Sequence, residues 1–340
     1  MQLEPIIPKN TTSTGQGRLV TELVTELVSP PEISASTTNP STPKQNELSP
    51  EALLKIFPLI CTKETSYSSK GWTKENPLYG QCTVVSLIAQ SFFGGELLRA
   101  SLKNSPDFKR MRYHYWNRLP DGREIDFTKD QFGDKYPKGL VSEVKRRKEV
   151  IRIPTVEKRY KELALNLVKH LNKNNPIFDA PVYQRCFFSA LESPCQKMKF
   201  GCVIKRGDEI VYEGNNKTIG PLKDLCDPKC IRFLIQSRTE QMLGACGHAE
   251  ELGLWEVAKK GIPLNECELY IAGTHSNGLP WLKKEPEHTC LRCTTQMYNA
   301  GIKKIYVPVN DRWVGLTKEE AIKTALAYAT KEKTVCEVTK

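Results

Sequence analysis

His248 and Glu250 stand two positions apart in "GACGHAEELGLW" (244–255), and Cys290 and Cys293 stand three apart in "EPEHTCLRC" (285–293). One imidazole and two thiols make a donor set suited to zinc, and two cysteines three apart at a helix start share one face and can grip one ion. A helix N-terminus also lowers a thiol's pKa, favouring the thiolate that a metal needs. Three protein ligands leave a fourth position for water, the arrangement of a catalytic zinc and not of a structural one. Glu250, two positions past His248, is close enough to handle that water's protons without being a ligand itself. The chemistry these residues predict is metal-assisted hydrolysis, with Zn2+ as the cofactor.

Elements must bring the two halves together. "HAEELGLWEVAKKG" (248–261) carries apolar residues at Ala249, Leu252, Leu254, Trp255, Val257 and Ala258, with Gly261 as a helix stop. "CELYIAG" (267–273) reads as a strand, "CLRCTTQMYNAG" (290–301) as a helix ending at Gly301, and "IKKIYVP" (302–308) as another strand. Upstream, "KFGCVIKRGDEIVYEGNN" (199–216) reads as two strands joined by a tight Arg-Gly-Asp turn. Strands alternating with helices predict an α/β sheet covered on both faces.

A His-x-Glu followed by a Cys-x-x-Cys is a signature of zinc nucleobase deaminases. The chain departs from it at Thr289, where the signature has proline, and in the long loop "THSNGLPWLKKEPEH" (274–288), which brings His275 and His288 near the motif. Over about residues 183–310 the sequence resembles the cytidine and deoxycytidylate deaminase superfamily. That resemblance implies a cytidine-deaminase-like α/β/α sheet sandwich. It also implies hydrolytic deamination in which zinc-bound hydroxide attacks C4 of a cytosine ring and Glu250 shuttles protons to the ring nitrogen and the leaving ammonia. "CVIKRGDEIVYEGNN" resembles the family's opening hairpin, so Asn216, beside Gly214, falls where the family has a substrate-contacting asparagine, and backbone groups at Ala249 are expected to hold the base. The segment "CDPKCIRFLIQSRTEQMLGACGHAEE" (226–251) resembles the insertion of deoxycytidylate-type enzymes. Its Cys226, Cys230 and Cys246, with Arg232 among them, read either as ligands of a structural metal or as buried thiols.

A second constellation lies upstream. Cys82, His114 and Asp126 follow one another at spacings of 32 and 12, with Cys82 at a predicted helix start. "HYWNRLPDGREIDFT" (114–128) reads as two strands joined by Pro-Asp-Gly, which brings His114 alongside Asp126. A cysteine at a helix start beside a strand-borne His and Asp is the plan of papain-like and transglutaminase-like enzymes. Residues 66–135 resemble the YunG-type family of small bacterial proteins, a resemblance that brings no activity with it. Packing of Cys82 in a helix and a structural His114 form the competing reading.

The whole chain bounds these readings. Its 340 residues suffice for two cored domains, and 39% hydrophobic with 26% charged residues describes a globular chain without a membrane span. Twelve cysteines without a secretory signal point to reduced thiols and metal ligands in a cytoplasmic setting. Only Cys61 and Cys82 precede residue 180, so thiolate chemistry concentrates in the C-terminal half. The predicted organisation is a Ser/Thr/Pro-rich disordered tail (1–48), a YunG-like α+β domain (49–140), a basic linker and helix (141–177) and the zinc domain (178–335). Residues 141–173 hold ten Lys or Arg against four Glu, a local charge of +6. This strip raises a nucleic-acid cytosine or adenine deaminase as an alternative to a free nucleoside or nucleotide deaminase. A cysteine hydrolase or transferase centred on Cys82 is a second alternative. Association into a homo-oligomer stays open.

Overall fold

The computed structural model describes residues 48–220, 222, 230–233 and 246–338. The "VTELVTELV" echo at 20–28 lies outside them. Helix α1 (Pro50–Ile60) opens where Ser49 and Pro50 predict it. Ser49 Oγ accepts the Ala52 N–H at 3.2 Å, and Leu53, Phe57 and Ile60 fall on the buried face. Helix α2 (Cys82–Phe93) follows, buried at Cys82 and from Val84 to Ala89 and half-buried at its C-terminal end. Strands β1 (Glu96–Ser101), β2 (Tyr113–Arg118), β3 (Glu124–Ile125) and β4 (Ser142–Lys145) form an antiparallel sheet in the order β3-β2-β1-β4. The predicted Pro-Asp-Gly connection joins β2 to β3, with Gly122 at φ +88°.

A short helix α3 (Arg147–Ile151) leads into α4 (Pro154–Leu171), whose Val156, Tyr160, Leu163, Leu167 and Val168 share one buried face. Pro154 at its start fixes the boundary of this helix. After α5 (Pro181–Glu192) comes the hairpin of β5 (Met198–Arg206) and β6 (Glu209–Asn215), turning at Gly207 with φ +59°. The remaining elements are β7 (Lys217–Thr218), β8 (Cys246–Gly247), α6 (Ala249–Lys259), β9 (Cys267–His275), β10 (Pro280–Trp281), α7 (Leu291–Asn299), β11 (Lys304–Val309), β12 (Arg312–Leu316) and α8 (Lys318–Val338).

The second sheet runs β12-β11-β9-β5-β6, with β10 beside β9. Only β9 and β11 are parallel, and α7 makes the crossover that parallel neighbours require. Side chains alternate across it as a sheet covered on both faces demands. Cys202, Ile204, Leu269 and Ile271 point into one core with α6 and α7, whereas Val203 and Ala272 point into the other with α5. The expected α/β/α sandwich is therefore present, beside an N-terminal α+β unit. At Gly201 a Cβ would meet the Cys186 carbonyl oxygen of α5 at 1.8 Å, so the helix lies directly on this strand because the residue has no side chain.

The core on the α5 face does not stop at the helix. It continues through Tyr160, Leu163 and Val168 of α4 to Val84, Val85 and Leu87 of α2 and Leu53 and Phe57 of α1. Lys161 pairs with Glu192, Lys169 with Asp179 at 2.6 Å, and Asn175 Nδ2 donates to Asn310 O at 2.9 Å along the same seam.

Candidate metal centre

Two helix starts converge on one point. His248 is the N-cap of α6 and leaves β8 in an extended conformation, while Cys290 is the N-cap of α7 with Cys293 in that helix's first turn. His248 Nδ1 lies 3.1 Å from Cys293 Sγ and 3.4 Å from Cys290 Sγ, and the three donor atoms all fall within 4.8 Å of one another. A tetrahedral zinc with ordinary Zn–N and Zn–S lengths separates such donors by about 3.6 Å, so the residues fit the ion with a small outward adjustment. Burial and donor chemistry agree with this fit. Cys293 is buried, the other two are half-buried, and the set is one borderline nitrogen with two soft sulfurs. Among the described residues no other group of three donors comes together in this way.

The protonation of the cluster is already shared. Hydrogen bonding from Cys293, and then from His248, pulls the Cys290 thiol down to about 5 against the effect of burial, while Cys293 itself is pushed up beside that thiolate. Burial draws His248 down, but the Cys290 hydrogen bond and the Glu250 charge hold it up at about 9. The positive ends of two helices face these sulfurs and favour the thiolate further.

Glu250, in the first turn of α6, is buried at 6% exposure. Its Oε1 lies 3.1 Å from His288 Nε2, and His288 Nδ1 lies 2.8 Å from Thr294 Oγ1. The Thr294 hydroxyl donates to Cys290 O at 2.8 Å, so Thr294 Oγ1 accepts from His288 Nδ1–H. Burial pushes the Glu250 carboxyl up, but the His288 hydrogen bond and charge, followed by His248, outweigh it and leave the carboxyl below its ordinary value. Of the two loop histidines, His288 thus reaches the site through Glu250, while His275 ends β9 opposite Met198.

Glu251 also belongs to the scaffold, although no spacing argument singled it out. Fully buried, it accepts the His248 N–H at 3.0 Å, Arg292 Nε and Nη2 at 2.5 and 2.6 Å, and Gln296 Nε2 at 2.6 Å. One carboxylate thereby ties the cap of α6 to the first two turns of α7 and fixes the distance between the two halves of the donor set. The signal was present: a glutamate three residues after a helix cap is a capping-box position.

The remaining predicted residues are placed as follows. Ala249 is buried at the first position of α6. Asn216 lies just past β6, where its Oδ1 accepts from Phe200 N and Ser193 Oγ, both at 2.8 Å, and its Nδ2 donates to Met198 O at 3.0 Å. Cys226 lies outside the described residues, whereas Cys230 is buried and Cys246 sits on β8 opposite Thr218. Cys82, His114 and Asp126 come together in the N-terminal unit, far along the chain from this cluster.

The α/β/α sandwich carries a His/Cys/Cys cluster that could hold a zinc ion. Residues 178–309 match the family model of the cytidine and deoxycytidylate deaminase zinc-binding region. Residues 49–172 match the YunG protein family. A deoxycytidylate deaminase of Schizosaccharomyces pombe (strain 972 / ATCC 24843) is 26% identical over 136 residues, which are 39% of this chain and 38% of that protein. The uncharacterized protein YunG of Bacillus subtilis (strain 168) is 29% identical over 106 residues, 31% of this chain and 83% of that protein. The chain thus spans under two-fifths of the deaminase relative and most of the YunG relative. Among the described residues no helix is long and apolar enough to cross a membrane.

Proposed function

We propose that this protein is a zinc-dependent hydrolase that deaminates a cytosine nucleoside or nucleotide of the deoxycytidylate type. The observation that carries the reading is the convergence of His248, Cys290 and Cys293 with the buried carboxylate of Glu250 beside them. These three residues would hold the metal, which when bound supplies the Lewis-acid chemistry that makes water a nucleophile near neutral pH. His288 engages Glu250 Oε1, so Oε2 is the oxygen left to take up a proton and deliver it to the ring nitrogen and then to the departing ammonia. The Ala249 N–H, at the first position of α6, has no partner within its own helix and would meet the base. Asn216 spends one Nδ2 hydrogen on Met198 O and would offer the other to the sugar.

A free nucleoside or nucleotide is favoured over a nucleic-acid strand by what the basic strip does. Arg147 donates to Leu87 O and Ser91 Oγ, and Arg159 to Thr155 O and Thr65 O. Lys145, Arg146, Lys161 and Lys169 pair with carboxylates of the same chain. Six of the strip's ten cations are therefore spent inside the molecule, reducing its pull on a polyanion.

The test is ammonia release from a panel of nucleosides, nucleotides and short oligonucleotides, with and without a chelator. Cytosine mononucleosides or mononucleotides should be turned over, and chelation should abolish turnover. Glu250→Gln should bind zinc stoichiometrically yet lose at least about 100-fold in kcat. Full turnover in that metal-loaded variant removes Glu250 from the mechanism.

A further inference from the structure

The deaminase reading leaves Cys82, His114 and Asp126 without a role. Cys82 opens α2 at 5% exposure, and its sulfur faces β2, 4.0 Å from Tyr113 O. The thiol lies close enough to the imidazole of His114, which has no exposed surface, for each to bear on the other's protonation. His114 Nε2 lies 2.7 Å from Asp126 Oδ2, while its Nδ1 lies 3.4 Å from Nε2 of Gln131, whose amide also donates to Thr128 Oγ1 at 3.0 Å. Asp126 is itself held on every side. Its Oδ1 accepts from Thr128 N at 2.9 Å and Thr128 Oγ1 at 3.1 Å, and its Oδ2 also accepts from Tyr136 OH at 3.1 Å. Phe132 packs edge-on against the imidazole with ring centres 4.9 Å apart, and Trp116 stacks on it at 5.6 Å. Nucleophile, base and orienting carboxylate thus come from three separate elements, and the carboxylate is locked in one pose.

A purely structural cysteine needs none of this. Buried thiols elsewhere in the chain are pushed up by desolvation, Cys61 and Cys186 among them. Burial pushes Cys82 up as well, but the bond and charge of His114 outweigh it and hold the thiol below its ordinary value. Burial draws His114 down, yet Asp126 and Cys82 hold it up at about 9. The other charged and titratable groups around the pair are Tyr115 on β2, Arg159 on α4 and, through Asp126, Tyr136. Helix α2 begins with no side-chain cap, so the N–H groups of Cys82 and Thr83 are donors that the helix itself cannot satisfy.

We propose that Cys82, His114 and Asp126 form a second active centre, a cysteine acyl-transfer site for amide or activated ester carbonyls, independent of the zinc site. The Cys82 thiolate attacks the carbonyl carbon and forms the S–C bond. The protonated His114 imidazole gives a proton to the leaving amine or alkoxide as the C–N or C–O bond breaks. Water then hydrolyses the thioester, passing a proton back to His114 and releasing the carboxylic acid and the free thiolate. Asp126 is a positioning residue that keeps the imidazole turned towards the sulfur. The small exposure of Cys82 restricts the site to slender acyl groups.

The experiment uses the full zinc-loaded chain, so that the metal protects Cys290 and Cys293, and follows Cys82 by peptide-resolved mass spectrometry. Iodoacetamide at pH 6 to 9 reads the thiolate, and p-nitrophenyl acetate reads acyl transfer. Cys82 should be alkylated at pH 6.5 at least about tenfold faster than a model thiol of pKa near 8.5. It should also carry an acetyl adduct that decays with release of acetate. Asp126→Asn, which keeps a hydrogen-bond acceptor and the side-chain volume, should flatten this advantage while leaving zinc content unchanged. A Cys82 alkylated no faster than the model thiol, or one that never carries an acetyl group, overturns the proposal. So does an unchanged pH profile in the zinc-replete Asp126→Asn variant. None of these outcomes bears on ammonia release at the zinc site.

Discussion

Adjacent glutamates on α6 do opposite work, and their partners decide which does what. Glu250 Oε1 meets His288 Nε2 at 3.1 Å, and His288 and then His248 hold its carboxyl below the ordinary value against burial. Glu251 accepts four hydrogen bonds, two of them from one guanidinium, and has no capacity left for chemistry. Burial pushes its carboxyl up, but Arg292 and the His248 N–H more than offset this and hold it below 4.5. Because the folded value lies below the unfolded one, its stabilising contribution is complete above about pH 5 and fades as pH falls through the folded value. Glu251→Gln should therefore cost about 2–3 kcal/mol at pH 7, the lower end for a broken buried pair because Arg292 keeps a third of its side chain in water. The deficit relative to the parent chain should shrink below pH 4.5. Urea unfolding at pH 7 and pH 4 measures both quantities, and an equal deficit at the two pH values removes the charge from the account.

At the scale of elements, α5 lies close against β5, because Gly201 lets the helix carbonyl of Cys186 approach the strand directly. Gly201→Ala should shift α5 off the sheet and cost about 3 kcal/mol or more, since the obstructing atom is backbone and cannot turn aside. Thermal unfolding reads the loss, and a fall of less than about 1 kcal/mol would mean that the helix floats on the strand. The elements themselves were legible along the chain. The apolar spacing from Ala249 onward marked α6, the Arg-Gly-Asp turn marked the β5–β6 hairpin, and Ser49 and Pro50 marked α1. Order across the sheet was not, because β5 meets β9 through pairings more than sixty residues apart in sequence. The candidate ligands were legible for the same local reason as the helices, each being a cap or a first-turn residue. Thr294, Arg292 and the Glu250–His288 contact were not, since they depend on how far the 274–288 loop folds back over α6 and α7. In the N-terminal unit the short turn from His114 to Asp126 was legible, but the closing residues Tyr136 and Phe132 were not.

For the whole molecule, the shared core outweighs the boundary between the two family matches. Phe178, Tyr183 and Phe187, all in the deaminase-type region, are buried in the same cluster as Leu163 and Val168 of α4 and Val84 and Leu87 of α2. Apolar surface of this kind cannot be left in water cheaply, at about 1.5–3 kcal/mol for each large side chain. Separate unfolding of either part would expose it on both. Residues 48–338 should therefore unfold in one cooperative transition, and a ligand that binds only the folded zinc centre should stabilise the distant N-terminal helices by the same free energy. At free zinc a hundredfold above its dissociation constant, that linkage amounts to about 2.7 kcal/mol. The measurement is native-state hydrogen exchange with and without zinc. Amides of α1 and α2 that exchange only through global unfolding should slow by about a hundredfold on zinc addition, in step with those of α6 and α7. If slowing is confined to residues beyond 178, the two parts open independently and the continuous core does not couple them. If α2 slows with the rest, zinc at one end of the chain governs how often Cys82 is exposed at the other.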